Sequence, residues 1–173
     1  VIDHLGPAIA ARDSLFVYGS PGNGKTVIAQ AIRNVSRDDI AVPHAISVDG
    51  HIVRVYDPVY HERTDDDADT SGLSRGDTFD RRWVPCRRPL VTVGGELMLE
   101  QMQLNPSPSG FYPAPLQATA NAGLLATDDF ARQRCSPSEL LNRWIVPLES
   151  RVDFLTLQSG QKFGLPFMPL IVF

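Results

Sequence analysis

The sequence has few cysteines and no long hydrophobic run. Its 173 residues include two cysteines, Cys86 and Cys135, which lie far apart and belong to no C-x-x-C or Cys/His cluster. This usage favours reduced thiols in a cytoplasmic protein and gives a disulfide no support. No apolar run reaches the ~20 residues that a membrane-spanning helix needs, and no signal peptide is recognisable. We therefore expect a cytoplasmic protein without membrane insertion.

The sequence also lacks a strong excess of charge of either sign. Its formal net charge is −4 and its isoelectric point is near 5.5, so it has no general attraction to nucleic acid or anionic membranes. Hydrophobic residues make up 43% and charged residues 21% of the chain, as in ordinary globular proteins. The length suits one α/β domain with a sizeable core.

A complete phosphate-binding motif stands near the start of the chain. Residues 19–26 read Gly-Ser-Pro-Gly-Asn-Gly-Lys-Thr and fit the pattern G-x-x-x-x-G-K-[ST] without a mismatch. The apolar residues 14–18 before it predict a buried strand. The residues after it predict a helix with one apolar face, formed by Val27, Ile28, Ala31, Ile32 and Val35. Strand, glycine-rich loop and helix are the context that the motif requires.

The residue types of this loop suit a nucleotide site. Gly19, Gly22 and Gly24 allow close backbone approach, so that successive N–H groups can surround a phosphate chain at the helix N-terminus. Lys25 can place its charge on the β- and γ-phosphates, and the Thr26 hydroxyl can ligate Mg²⁺. The expected nucleotide-binding set is Gly19, Ser20, Pro21, Gly22, Asn23, Gly24, Lys25, Thr26 and Val27.

A second informative stretch is an apolar strand that ends in two acids. Residues 124–127 are apolar up to Thr127, and Asp128 and Asp129 follow. Opposite bound phosphates, Asp128 would hold Mg²⁺ through its water shell, and Asp129 would orient or deprotonate the attacking water. Without the phosphate-binding motif the signal is weak, because strand ends often carry aspartate for turn formation.

Several local signals predict further elements. Asp49-Gly50 and Ser159-Gly160 each separate two β-rich runs and predict hairpins. Ser136, Pro137 and Glu139 form the capping box of a helix. The apolar residues within 96–104 have mixed spacing, so the secondary structure of this stretch is left open.

Three polar or aromatic segments allow a functional and a plain interpretation. The acidic residues between 65 and 77 could bind a metal, but they lack calcium-loop spacing, and a solvated loop is favoured. Arginines 81, 82, 87 and 88 could contact nucleic acid or an acidic partner, although solvated flanks of a strand are favoured. Phe111 and Tyr112 could form an exposed contact loop or a packed edge.

The order of these parts resembles the AAA+ ATPases, most closely a group of bacterial proteins described as ATPases with chaperone-like activity. The stretches that carry the resemblance are residues 14–29, 81–97 and 112–173. Residues 120–123, Ala-Asn-Ala-Gly, precede the acidic strand. They also resemble the corresponding residues of MoxR-type ATPases and bacterial enhancer-binding activators. In those relatives a hairpin precedes the sensor-1 strand, as residues 151–163 do here.

The resemblance implies a P-loop NTPase fold of the AAA+ type, in which helices flank a parallel core sheet carrying β-hairpin insertions. It implies ATP and Mg²⁺ as ligands, ring assembly, commonly of six subunits, and ATP hydrolysis that remodels a protein partner. Residues 19–26 match Walker A, and Asp128 and Asp129 match Walker B. The second Walker B acid is usually glutamate, so the shorter Asp129 implies slower turnover.

Compared with the AAA+ ATPases that it resembles, the chain of residues 1–173 is expected to be a partial AAA+ nucleotide-binding domain. The sensor-1 residue, the arginine finger and the helical lid domain are expected after Phe173, and such a fragment should hydrolyse ATP poorly. Arg132, Arg134 and Arg143 could reach a neighbouring subunit, but no signal assigns them the role of the finger.

Two other functions stay open. A P-loop phosphotransferase would need an acceptor pocket and a lid, and the acidic pair and the hairpin favour a hydrolase instead. A nucleotide-gated binding module with weak or no hydrolysis is compatible with aspartate at position 129. Nucleic acid as the remodelled partner is disfavoured by the acidic total.

Overall fold

The computed structural model of the chain describes residues 6–7, 9, 14–17, 25–35, 38–64, 80–128, 130 and 132–173, with Lys25 and Thr26 described by their backbone alone. The predicted acidic loop between residues 65 and 77 lies outside the described residues. The helices are α1 (Lys25–Val35), the short α2 (Leu116–Thr119) and α3 (Pro137–Ser150), with a 3-10 helix at Leu99–Met102. The strands are β1 (Ile40–Pro43), β2 (Ala45–Val48), β3 (His51–Arg54), β4 (Trp83–Cys86), β5 (Leu90–Val93), β6 (Tyr112–Pro113), β7 (Leu124–Thr127), β8 (Val152–Thr156), β9 (Lys162–Pro166) and β10 (Leu170–Val172).

A parallel sheet of order β10-β7-β5 forms the centre of the fold. Leu15 extends it beyond β10 through a parallel bridge to Val172, closed by the hydrogen bonds Leu15 N–H to Ile171 O and Phe173 N–H to Leu15 O, both 2.8 Å. All four residues of β7 are buried, as expected for a strand covered on both faces. Because these segments are parallel, their carboxyl ends meet at one edge of the sheet.

Helices cover both faces of this sheet. On one face, Ala29 and Ile32 of α1 pack with β-sheet residues, namely Leu124, Ala126, Leu170 and Val172. On the other face, Leu140 and Trp144 of α3 pack with Val91, Leu125, Ile171 and Phe167. The chain therefore buries two apolar layers, one on each side of the strands.

The apolar face predicted for α1 was partly wrong. Val27 and Val35 are 69% and 71% exposed, whereas Ala29, which the prediction left out, is buried. Successive helical residues are rotated by about 100°, so the arc of Ile28, Ala29 and Ile32 differs from the arc that holds Val27 and Val35. The sheet contacts the first arc.

Both predicted hairpins are confirmed. β2 and β3 pair antiparallel around Asp49 and Gly50, which have φ values of 48° and 78°. Positive φ at both central positions is the geometry that an Asp-Gly turn allows. β8 and β9 pair antiparallel around Gly160, whose φ is 88°. β6 joins β3 in parallel to make a three-stranded sheet, and β1 pairs antiparallel with β4.

The predicted capping box of α3 is also confirmed. The Ser136 hydroxyl accepts the Glu139 N–H at 3.3 Å, and the Glu139 carboxylate accepts the Ser136 N–H at 2.9 Å. Hydrogen bonds from the Ser136 hydroxyl and backbone lower the pKa of Glu139. As predicted, Cys86 and Cys135 are buried thiols, and no disulfide joins them. Among the described helices, none is long and apolar enough to cross a bilayer.

Candidate functional site

The phosphate-binding motif follows the segment at residues 14–17 in the sequence, and its last two residues, Lys25 and Thr26, begin α1. The buried strand predicted at residues 14–18 is not confirmed in its described part. Residues 14–17 form one bridge to β10 at Leu15, none of them is buried, and Phe16 is 58% exposed. The six residues before Lys25 lie outside the described residues, namely Gly19, Ser20, Pro21, Gly22, Asn23 and Gly24. Lys25 and Thr26 form the first turn of α1, followed by the exposed Val27. The roles assigned to these residues stay predictions.

Asp128 stands at the carboxyl end of β7, at the same edge. Its N–H donates a 2.7 Å hydrogen bond to Val93 O at the end of β5, and its carbonyl accepts one of 2.9 Å from Gln133 Nε2. These two hydrogen bonds connect the backbone of Asp128, in the turn that carries the acidic pair, to β5 and to the segment at Gln133. Asp129 lies outside the described residues.

A cluster of three phenylalanines connects the segment before the phosphate-binding motif to the turn that follows β7. The rings of Phe16 and Phe173 stack with centroids 4.5 Å apart, and Phe130 packs against Phe173 at 5.3 Å and 72°. Phe16 comes just before the phosphate-binding motif, Phe130 just after the acidic pair and Phe173 just after β10. The three rings therefore link the ends of three adjacent segments.

Glu96 is a further carboxylate beyond the end of β5. It accepts a 3.0 Å hydrogen bond from Gly94 N–H, and this bond, with one from its own backbone, lowers the pKa of its carboxyl group. Next to it, a Cβ atom on Gly95 would come within 3.2 Å of Arg132 O. The chain after β5 thus lies close against the segment that follows the acidic turn.

Sequence reasoning missed Gln133, Glu96 and the aromatic cluster. The only signal for the cluster was that Phe16 lies in a predicted strand, whereas Phe130 follows the two acids and Phe173 follows another apolar run. Nothing in the spacing indicates that Gln133 turns back to Asp128. These contacts depend on the order of the strands in the sheet.

In the part of the chain that the structure describes, no three His, Cys, Asp or Glu side chains are grouped as an all-protein metal cage. A P-loop magnesium ion needs no such cage, because one hydroxyl, one carboxylate, water and the phosphates surround it. Thr26 and Asp128 are the predicted protein partners.

Arg143, one of the three arginines that could reach a neighbouring subunit, is paired within the chain. Its Nη2 lies 2.7 Å from Asp153 Oδ1 and donates a 2.9 Å hydrogen bond to Asp153 Oδ2, and Asp153 is buried. Gln117 Nε2 donates to the same carboxylate at 2.8 Å. Arg143 therefore connects α3 to β8 within the subunit. Arg132 and Arg134 are exposed.

The arginines between residues 81 and 88 do not act as one basic surface. Arg82 pairs with Asp80 at 2.6 Å, and Arg87 pairs with Glu62 at 3.3 Å. The mostly buried Arg88 donates a 2.6 Å hydrogen bond to Ala122 O. β4 lies between the two arginine pairs, as the plain interpretation predicted, but the mostly buried Arg88 is not one of its solvated flanks. Tyr112 is buried in β6 and forms a packed edge, whereas Phe111 is only partly buried.

Comparison of the chain with protein-family models and with curated proteins found no match. The functional interpretation therefore depends on the motif, on the resemblance in the order of parts and on the geometry of the sheet edge.

Proposed function

We propose that this chain binds ATP with Mg²⁺ and hydrolyses it as a subunit of a ring-forming, cytoplasmic AAA+ ATPase that remodels a protein partner. One observation carries the proposal. The segment at residues 14–17, which bridges β10 at Leu15, and β7, which Asp128 follows, lie on either side of β10 as parallel neighbours. The chain entering the phosphate-binding motif and the acidic pair therefore reach the same edge of the sheet.

The edge is the correct one for a nucleotide. In open α/β sheets, ligands bind beyond the carboxyl ends of the strands, where loops and helix N-termini converge. The segment at residues 14–17, β10, β7 and β5 all end there, and α1 starts there with Lys25. The positive end of the α1 dipole and its first N–H groups support phosphate binding at this edge.

The proposed chemistry assigns one task to each motif residue. The backbone of residues 19–24 surrounds the phosphates, Lys25 neutralises charge on the β- and γ-phosphates, and Thr26 and Asp128 hold Mg²⁺. Asp129 orients the attacking water for in-line displacement. The hydrogen bonds of the Asp128 backbone support this division, because they hold that acid at the end of β7.

The test is Mg²⁺-dependent ATP binding and hydrolysis by the full-length protein, measured across protein concentration. Lys25→Ala should abolish hydrolysis and weaken ATP binding at least tenfold, because it removes the charge on the phosphates. Lys162→Ala, which removes an exposed lysine from β9, is the matched control and should behave as the wild type. Specific activity that rises with protein concentration supports a site shared between subunits.

Two outcomes contradict parts of the proposal. If the wild-type protein binds no ATP, the proposed nucleotide site is wrong. Tight binding without turnover at any concentration supports the nucleotide-gated module instead. In that case Asp129→Asn should leave the biological output unchanged, whereas in an ATPase it should abolish turnover and keep binding.

A further inference from the structure

A second, unassigned groove lies away from the nucleotide edge, between the β2–β3 hairpin and the loop that precedes β6. Its volume is about 620 Å³. Its lining includes His44, His51, Arg54, Tyr56 and Phe111, together with Ile52, and no described Asp or Glu lines it. The chain as a whole has a net charge of −4, whereas the described lining of this groove contains an arginine and no acidic residue.

Arg54 is the fixed cation of the groove. Its guanidinium carbon lies 5.0 Å from the centroid of the Phe111 ring, a cation–π arrangement that orients the planar group. Among the described residues, no carboxylate forms an ion pair with this exposed side chain. An oriented guanidinium with free N–H groups suits bidentate binding of a carboxylate.

The backbone of Arg54 is paired with a neighbouring strand on each side. Arg54 pairs with Ala45 of β2 and with Pro113 of β6, and its carbonyl accepts the Ala114 N–H at 2.9 Å. Phe111 directly precedes β6, so the cation and its aromatic support belong to neighbouring strands of one sheet. The groove therefore offers a preformed anion site, which lowers the cost of ordering on binding.

The remaining walls combine polar rings with apolar surface. The His44 ring packs edge-on against Tyr56 at 5.5 Å, and the His51 ring packs edge-on against Tyr112 at 5.7 Å. Ile52, on the same strand as Arg54, is 54% exposed and lines the groove. An occupant thus meets a cation, imidazole groups and one aliphatic side chain within a short distance.

We infer that this groove binds a short acidic peptide segment of a protein partner, with a carboxylate on Arg54 and an aliphatic side chain against Ile52. Charge complementarity carries the inference, because the groove holds a cation and no described acid lines it. Such a segment would be a recognition element of the partner that the proposed ATPase remodels. Binding of the peptide can be measured without nucleotide, so it stands or fails separately from ATP hydrolysis.

The same features disfavour a nucleic acid. Sequence-independent binding to a phosphate backbone depends on several Lys or Arg contacts, whereas one arginine lines this groove. Base stacking also needs free aromatic faces. Here one face of Phe111 carries Arg54, and Tyr56 stacks on His61 at 5.7 Å and 23°.

The test uses fluorescence anisotropy with three labelled eight-residue peptides, in which leucine alternates with glutamate, glutamine or lysine. The glutamate peptide should bind and the other two should not, and its affinity should fall as salt is raised. Arg54→Gln should weaken binding about tenfold or more, the effect expected for one charge-assisted contact. Phe111→Leu, which removes the aromatic support but keeps an apolar side chain, should weaken binding less.

Arg134→Gln is the matched control, because it removes one exposed arginine that does not line the groove, and it should bind like the wild type. Circular dichroism establishes that each variant is folded. Equal binding of all three peptides, or binding that Arg54→Gln leaves unchanged, overturns the inference. Binding of a labelled oligothymidine that depends on Arg54, with no binding of the glutamate peptide, overturns it in favour of a nucleic acid.

Discussion

The rings of Phe16 and Phe130 meet edge to face, with centroids 5.8 Å apart and planes at 85°. Phe16 lies three residues before Gly19, and Phe130 lies two residues after Asp128. This contact, with Phe173 against both rings, couples the position of the turn that carries Asp128 to the segment at residues 14–17, which precedes the phosphate-binding motif.

Phe130→Ala should loosen this coupling. We expect the free energy of unfolding to fall by roughly 2 kcal/mol, less than for a fully buried phenylalanine, because Phe130 is partly exposed. For the proposed ATPase, turnover should fall more than ATP affinity, since the acids follow β7 whereas the proposed phosphate site is at the start of α1. Urea denaturation and steady-state kinetics measure the two effects. Phe154→Ala, at a 61% exposed position on β8, is the control and should change neither quantity.

Arg143→Met should leave the buried Asp153 carboxylate without its cation. Removing one partner of a buried pair costs about 3 kcal/mol or more, because the remaining charge is uncompensated. Arg82→Met removes the exposed pair with Asp80 and should not measurably change stability. Thermal and urea unfolding compare the two variants. Equal effects would contradict the structural role assigned to Arg143.

Stability should decrease at acidic pH because of His61. Its Nδ1 accepts the Asp57 N–H at 2.9 Å and also lies 3.1 Å from Asp57 O, and its Nε2 lies 3.0 Å from Thr119 O. In the neutral tautomer with the proton on Nε2, the buried ring accepts from Asp57 and donates to Thr119. Burial lowers the pKa of His61 below its ordinary value of 6.5. The folded protein therefore takes up this proton at a lower pH than the unfolded chain does.

The unfolded state therefore binds more protons below pH 6.5. The free energy of unfolding should be independent of His61 above that pH and should fall below it, by at most about 1.4 kcal/mol per pH unit. Urea unfolding between pH 5 and 8 measures this slope, and His61→Gln should remove its contribution. Identical slopes for the wild type and His61→Gln would contradict the prediction.

Gly123→Ala should destabilise the start of the central sheet. A Cβ atom there would collide with Pro89 O and lie 2.6 and 2.7 Å from Pro89 ring atoms, while Gly123 O accepts the Leu170 N–H at 2.9 Å. We expect a loss near the upper end of roughly 1–3 kcal/mol, because backbone must move. Gly164→Ala is the control. Its nearest contact is Val152 Cγ1 at 2.9 Å, the end of a side chain that can rotate, so its cost should be smaller.

Local signals predicted local structure well. The Asp49-Gly50 turn and the capping box at Ser136 are confirmed, because a turn or a cap is decided by residues that are neighbours in the chain. The apolar face of α1 was predicted less well. Its helical spacing allowed two adjacent arcs, and the position of the sheet selected Ala29 and Ile32.

By itself, the sequence determined the phosphate-binding motif, the acidic end of β7, the two hairpins and the capped helix, since each depends on residue types at short spacing. The tertiary structure alone decided which segments lie side by side. It placed β10 between the segment of Leu15 and β7, brought Phe16 to Phe130, turned Arg143 inward to Asp153 and set Arg54 on Phe111. Contacts of this kind join residues far apart in the chain, and their free energy comes from burial and pairing that exist only once the strands have assembled.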